Sequence, residues 1–227
     1  MKPKTVVAKT DKYLDGARGL FTPHQRGFAR KPVSVAITTP TMQTEVFCRE
    51  SLCDIDLRTL QTIVALLTAS KSPTEGKVIT TMYQLAVECG LCGDSTTTRK
   101  GIKSSLIRLS NATWNYQTTC SDEDERAEYG AGSLLQFKFE NPNQTGALHI
   151  NIHPRLADVV CNDRSTFNNL QMAEVRQLKT PVERLLHHYL TSILWSGQQG
   201  KTITTAKMIE RVWGISSDTL APDLFRK

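Results

Sequence analysis

No apolar run in this 227-residue chain approaches the ~18 residues that a membrane-spanning helix needs. The polar, lysine-bearing N-terminus also lacks a signal-peptide apolar core. A membrane partner is therefore not expected, and the sequence reads as that of a cytoplasmic protein. Disulfide staples are not required either, since a chain of this length can bury one large core or two small ones. Its six cysteines (Cys48, Cys53, Cys89, Cys92, Cys120, Cys161) are scattered through helix-like and strand-like segments and read as reduced thiols. Charge surplus of either sign is missing from the body. Residues 1–31 hold Lys2, Lys4, Lys9, Lys12, Arg18, Arg26, Arg30 and Lys31 against Asp11 and Asp15, which accounts for the whole net charge of +6. Residues 32–227 balance, so the basic pI says nothing about phosphate binding by the folded body. The first stretch, 1–32, reads as an irregular basic arm, either a solubilising tail or one that touches nucleic acid.

What is present is a run of short, well-punctuated elements. Val33-Ser-Val-Ala-Ile37 and Thr44-Glu-Val-Phe-Cys48 alternate apolar and polar residues around a Pro-containing turn and predict a β-hairpin. A helix is expected from Asp54 to about Ser70, with Leu57, Leu60, Val64 and Leu67 on one side. A small helix within Thr80–Gly90 then stops at its glycine. Asp94, Ser95 and Thr96 open a second helix, in which Ile102, Leu106 and Leu109 recur at i, i+4 and i+7. Lys100, Lys103, Ser104 and Arg108 fall opposite that stripe, and Arg99 at its edge. A glycine turn between a short helix and a helix with one basic face is a helix-turn-helix pattern. Strands are expected at Trp114–Thr119, Ser133–Phe139 and Ala147–Ile152, the first two joined by an acidic loop, which would make the unit a winged helix.

The plan recurs downstream. A short helix around Arg155–Val160 and a polar stretch to Asn169 lead to Thr180-Pro-Val-Glu183, a capping box with proline in the first helical position. The helical period then runs to Trp195, a glycine-bearing turn follows, and a second short helix covers Ile203–Val212. A third helix begins at Pro222, and no wing follows. The expected fold class is α+β, with tandem winged-helix domains at 33–169 and 170–227, the second incomplete.

Gly19-Leu20-Phe21, the hairpin, Asp56-Leu-Arg-Thr-Leu-Gln61, Met172-Ala-Glu-Val-Arg-Gln-Leu178, Glu183-Arg-Leu-Leu-His187 and Val212-Trp213 occur in an order that resembles replication protein C of IncQ-type broad-host-range plasmids. The likeness is spread from about residue 19 to 213. It implies a plasmid replication initiator that binds direct repeats (iterons) in double-stranded origin DNA and promotes opening of the adjacent AT-rich DNA. A plasmid-encoded helicase and primase would be its partners, and related initiators form homodimers through the first domain. In the family a basic recognition helix and a second wing follow Val212-Trp213, of which Arg226 and Lys227 are what remains here.

Catalytic readings fare poorly. Gly197-Gln-Gln-Gly-Lys-Thr202 ends like a phosphate-binding loop, but Trp195 stands where the first glycine is required and a helix, not a strand, precedes it. His149 and His153 are four apart on a strand, and read as a surface strand face rather than a metal pair. Cys89-Gly-Leu-Cys92 has no second Cys pair to complete a zinc site. His187-His188 reads as packing or solvent-facing on its helix. No catalytic residue, metal or cofactor is expected. The residues expected to border DNA are Arg99, Lys100, Lys103, Ser104 and Arg108 in the first unit. In the second they are Lys201, Thr204, Thr205, Lys207, Arg211, Arg226 and Lys227. Asp122, Glu123, Asp124, Glu125 and Glu128 would repel phosphates, so the loop that carries them is expected to face protein or solvent. A winged-helix transcriptional regulator, or a protein–protein module, fits the same elements.

Overall fold

A computed structural model describes residues 5–15, 19–23, 30–38, 42–70, 73–118, 129–141, 146–161, 167–194 and 203–213. The chain is α+β. In order, the described elements are β1 (Val7–Asp11), α1 (Lys12–Asp15), β2 (Phe21–Thr22), β3 (Val33–Thr38), β4 (Met42–Cys48), β5 (Leu52–Cys53) and α2 (Asp54–Thr68). A single 3-10 turn (Pro73–Glu75) leads to β6 (Lys77–Thr80), α3 (Met82–Glu88), α4 (Thr96–Ser110), β7 (Ala112–Thr118), β8 (Tyr129–Ser133), β9 (Leu135–Phe139) and β10 (Leu148–Ile152). Then follow α5 (Pro154–Cys161), β11 (Phe167–Gln171), α6 (Met172–Gln177), α7 (Pro181–Ile193) and α8 (Thr205–Trp213).

Helix α2 is the pivot of the packing. Its stripe of Leu57, Leu60, Val64 and Leu67 is buried as its spacing predicts, but so are Asp54, Asp56, Arg58 and Gln61 on other sides. An amphipathic surface helix would leave those polar residues in water. Here β1, α4, α5 and α7 pack around α2, and each of these four buried side chains finds a polar partner, as buried polar groups do. Asp54 binds Arg184 of α7 at 2.6 Å, and Asp56 binds Arg108 of α4 at 2.7 Å. The Arg58 guanidinium donates to the carbonyl of Arg176 in α6, and Gln61 meets His188 of α7. The two halves of the sequence are thus held by polar contacts radiating from one helix.

Two antiparallel sheets flank this centre. One has the order β3-β4-β7-β8, and the other β6-β10-β9. In the first, Val46 lies between Val35 and Trp114 in register, with Trp114 fully buried and its indole N–H donating to Thr44 Oγ1. Gly130 on β8 is needed there: a Cβ would come within 2.6 Å of three ring and hydroxyl atoms of Tyr116. Leu134, buried between β8 and β9, turns the chain from one sheet to the other. Its N–H donates to Ala112 and its carbonyl accepts from His153.

This topology corrects three expectations. Of the two strands expected to flank the wing, the one over 114–119 falls on β7, which pairs with β4 of the hairpin, and the one over 133–139 is split at Leu134 between the end of β8, paired with β7, and β9, paired with β10. Next to α3 and α4 the sheet is built from β6, β9 and β10. The N-terminal stretch is also not an arm throughout. Strand β1 pairs with β11 over five residues, Ala8 and Asp11 are fully buried, and Asp11 lies 3.4 Å from the Arg155 guanidinium. Strand β11, which begins in the polar stretch expected to run to Asn169, crosses the expected boundary at 169–170. The acidic loop carrying Asp122–Glu128 and the expected helix at Pro222 lie outside the described residues.

A candidate nucleic-acid interface

The α3–α4 pair forms for legible local reasons. Thr81 caps α3, its Oγ1 accepting from the Gln84 N–H at 3.0 Å. The helix ends in a paired-carbonyl cap in which Leu91 N–H donates to Ala86 and Gly90 N–H to Val87. Gly90 adopts φ of +70°, the left-handed conformation such an ending requires. Ser95 then caps α4 by accepting from the Thr98 N–H. Ile102, Leu106 and Leu109 are fully buried, as their spacing predicts, and Ser105 is buried with them.

The opposite face of α4 carries Thr96, Thr97, Lys100, Ser104 and Ile107 exposed, with Lys103 half-exposed. No carboxylate occurs anywhere along α4, whose sequence is TTTRKGIKSSLIRLS. Three of the expected residues, Lys100, Lys103 and Ser104, share this face. Arg99 lies at its margin: its Nε donates to the Gly93 carbonyl at 2.8 Å and its guanidinium is 3.7 Å from Asp94.

Arg108 is drawn away. Its Nε donates to both Asp56 oxygens at 3.0 and 3.1 Å, and Nη2 donates to Oδ1 at 2.7 Å. Burial disfavours its charge, but the hydrogen bonds and charge of Asp56 outweigh that and raise its pKa above the ordinary value. Asp56 also accepts the Cys53 N–H at 2.8 Å and lies 3.7 Å from Arg30. Arg108 therefore anchors α4 onto α2. Its partner, 52 positions earlier, leaves no local signal.

In the second half, Thr204 caps α8, its Oγ1 accepting from the Lys207 N–H at 3.3 Å. Thr204, Thr205 and Lys207 are exposed, while Val212 buries α8 against its neighbours α7 and β2. Arg211 lies on α8, but its side chain is outside the described set, as are Lys201, Arg226, Lys227 and the glycine turn 197–202. At the start of α7 the capping box is complete: Glu183 Oε2 accepts from Thr180 N–H, and Thr180 Oγ1 from Glu183 N–H.

A second polar cluster fixes the end of α3. Glu88, fully buried, accepts from the Thr5 N–H and hydroxyl, from Gln84 Nε2 and from Arg176 Nη2. Arg176 also donates to the carbonyls of Glu88 and Thr5. Sequence reasoning gave Thr5 and Glu88 no role, because their contact spans 83 positions.

The histidine and cysteine motifs take structural positions. His149 is half-exposed on β10, but His153 is buried against Trp114 and Tyr116 with ring centroids 5.0 and 5.7 Å away. That corrects the expectation of a surface pair. Burial lowers the His153 pKa to about 4, a hydrogen bond to the Trp114 backbone opposing and Arg155 reinforcing the shift. Cys89 is fully buried, which raises its thiol pKa, whereas Cys92 is exposed. Among the described residues no group of three His, Cys, Asp or Glu side chains is arranged to hold a metal ion. His188 is buried, close to Asp15 at 3.7 Å and edge-on to Phe21, and burial lowers its pKa.

Three comparisons bear on this arrangement. Residues 74–221 match the family described as Replication protein C (RepC). None of the curated proteins matches the chain. Among solved structures, domains 2 and 3 of RctB align with a TM-score of 0.59 at 14% identity, covering 95% of this chain and 81% of that one. A selenomethionine form of the same two domains aligns with a TM-score of 0.52 at 14% identity, over 77% and 68% of the respective chains. At such identity the likeness concerns the fold alone.

Proposed function

Because this chain belongs to the replication protein C family, we propose that it is a non-catalytic initiator of plasmid replication. In this reading it binds direct repeats in double-stranded origin DNA and promotes opening of the adjacent AT-rich segment. The observation that carries the proposal is the exposed face of α4. It presents Lys100, Lys103 and Ser104 with Arg99 at the edge, on a helix without a single carboxylate, after a short helix and a glycine turn. In this reading α2, β6, α3 and α4, with β9 and β10 joining β6 in one sheet after the intervening β7 and β8, make up a winged helix whose recognition helix is α4. Lysines there would contact phosphates and Ser104 could reach a base edge. A second winged helix would begin with α7 and α8, placing Thr204, Thr205, Lys207 and Arg211 beside the DNA, with Lys201, Arg226 and Lys227.

Initiation also implies partners. A helicase and primase encoded by the same plasmid would follow the opened DNA, the setting would be cytoplasmic, and two copies could pair through the edge of the four-stranded sheet. Footprinting of the purified chain on plasmid origin DNA tests the reading. Protection of tandem direct repeats is expected. Protection of a palindrome beside a promoter would instead make the chain a transcriptional regulator, and no protection of duplex DNA would remove both.

A further inference from the structure

Two features of α4 are not explained by folding. Ile107 is 43% exposed in the middle of the basic face, one to two turns after Lys100, Lys103 and Ser104. Its apolar side chain gains little there from the protein's own core. Gly101 lies in the helix interior, where glycine is destabilising relative to alanine because it loses more backbone freedom on folding. Steric need is not the reason: a Cβ added at Gly101 would meet no atom within 4 Å. The φ there is not in the left-handed range, so the backbone does not demand glycine either. An absent side chain pointing into open space makes sense if something from outside comes close to the helix backbone.

We infer that this face reads a thymine in the major groove: Ile107 packs on the thymine C5-methyl group, and Gly101 lets the duplex approach the α4 backbone. The inference rests on the proposed recognition role of α4 and goes beyond it by naming which residues distinguish sequences. Charge selects the occupant. Lys100, Lys103 and Arg99 suit a phosphate-lined groove, while no carboxylate on α4 opposes it. Within the major groove, thymine is the base that offers a methyl group to an aliphatic side chain. Phosphate contacts from the lysines hold any duplex alike, so on this face the uncharged Ser104 and Ile107 side chains are the ones that discriminate, with Gly101 permitting the approach.

The test uses the full chain on duplexes selected for it from a random-sequence pool. Each thymine is replaced in turn by deoxyuridine, which removes only the methyl group. At one position or a neighbouring pair, the unaltered chain should bind about fourfold more weakly, the transfer value of one buried methyl. Ile107→Ala should lose a similar factor on the thymine duplex and show no further loss on deoxyuridine. Gly101→Ala should raise Tm by about 1–4 °C and yet weaken binding severalfold, opposite signs that a structural role alone does not produce. If Lys100→Ala weakens binding while Ile107→Ala keeps full thymine discrimination, α4 remains a DNA helix and this inference falls. It falls equally if Gly101→Ala leaves affinity intact. If none of the three changes affects duplex binding, or selection yields no preferred sequence, the recognition role of α4 falls with it, and its face is left to a protein partner.

Discussion

Arg108 of α4 and Asp56 of α2 form a bidentate ion pair with three donor–acceptor distances of 2.7–3.1 Å around a carboxylate that is fully buried. The pair fixes the angle at which α4 presents its outer face. Asp56→Ala would leave a largely buried guanidinium without its partner and should destabilise the protein by about 3–5 kcal/mol in urea unfolding. Asp56→Leu combined with Arg108→Met should recover part of that loss, since two apolar groups need no partners.

The same contact separates two kinds of basic residue on one helix. Lys100→Ala and Lys103→Ala should each flatten the dependence of log affinity on log salt by about one unit while leaving stability within about 0.5 kcal/mol. Arg108→Ala should lower stability without changing the salt slope. Fluorescence anisotropy at several salt concentrations, paired with denaturation, distinguishes them. A salt slope lowered by Arg108→Ala would mean that the arginine leaves Asp56 for the phosphates.

Removal of residues 1–11 should unfold or strongly destabilise the chain instead of trimming a tail. It would take away the partner strand of β11, the buried Ala8, the Asp11 carboxylate beside Arg155, and the Thr5 groups held by Glu88 and Arg176. A loss of several kcal/mol is expected, the scale of removing one partner from a buried ion pair. An unchanged urea midpoint would return these residues to the status of an arm.

Stability should fall on mild acidification. His153 has its pKa lowered from 6.5 to about 4 by burial, so the unfolded chain binds the proton more readily. The stabilisation is complete above about pH 6.5 and is lost progressively as pH falls toward about 4, by about 2–3 kcal/mol. Buried His188, also shifted downward, adds to the same trend. Urea unfolding at several pH values from mildly acidic to mildly basic should show the slope, and His153→Phe should reduce it while keeping the aromatic packing against Trp114 and Tyr116.

Replacing Asp122, Glu123, Asp124, Glu125 and Glu128 with serine should leave DNA affinity unchanged or stronger. The strands on either side, β7 and β8, belong to the four-stranded sheet with β3 and β4, not to the sheet of β6, β9 and β10. Binding measured before and after the change decides this; a weaker complex would place the loop on DNA.

Much of the site was readable because it is built from near neighbours. The Ser95 cap, the Gly90 ending and the Ile102–Leu106–Leu109 stripe are each set by residues within a turn or two, where capping and periodicity act. The α7 capping box and the β3–β4 hairpin were legible on the same grounds. These local rules determined where helices and hairpins form and which side of α4 turns inward. They could not determine which strands pair, or where a buried charge finds its partner. Strand β1 is five residues of mixed polarity, and its partner β11 is some 160 positions away by register. Nothing in either segment alone marks it as buried. Likewise α2 shows one apolar stripe, and only the elements packed around it turn Asp54, Asp56, Arg58 and Gln61 into interior residues. A strand is completed by another strand's hydrogen-bonding groups and a buried ion by an opposite charge, and both are supplied through space. The sequence alone determined the main helices, the hairpin and the basic face; the tertiary structure decided which of those cations remain on that face and which hold the helix in place.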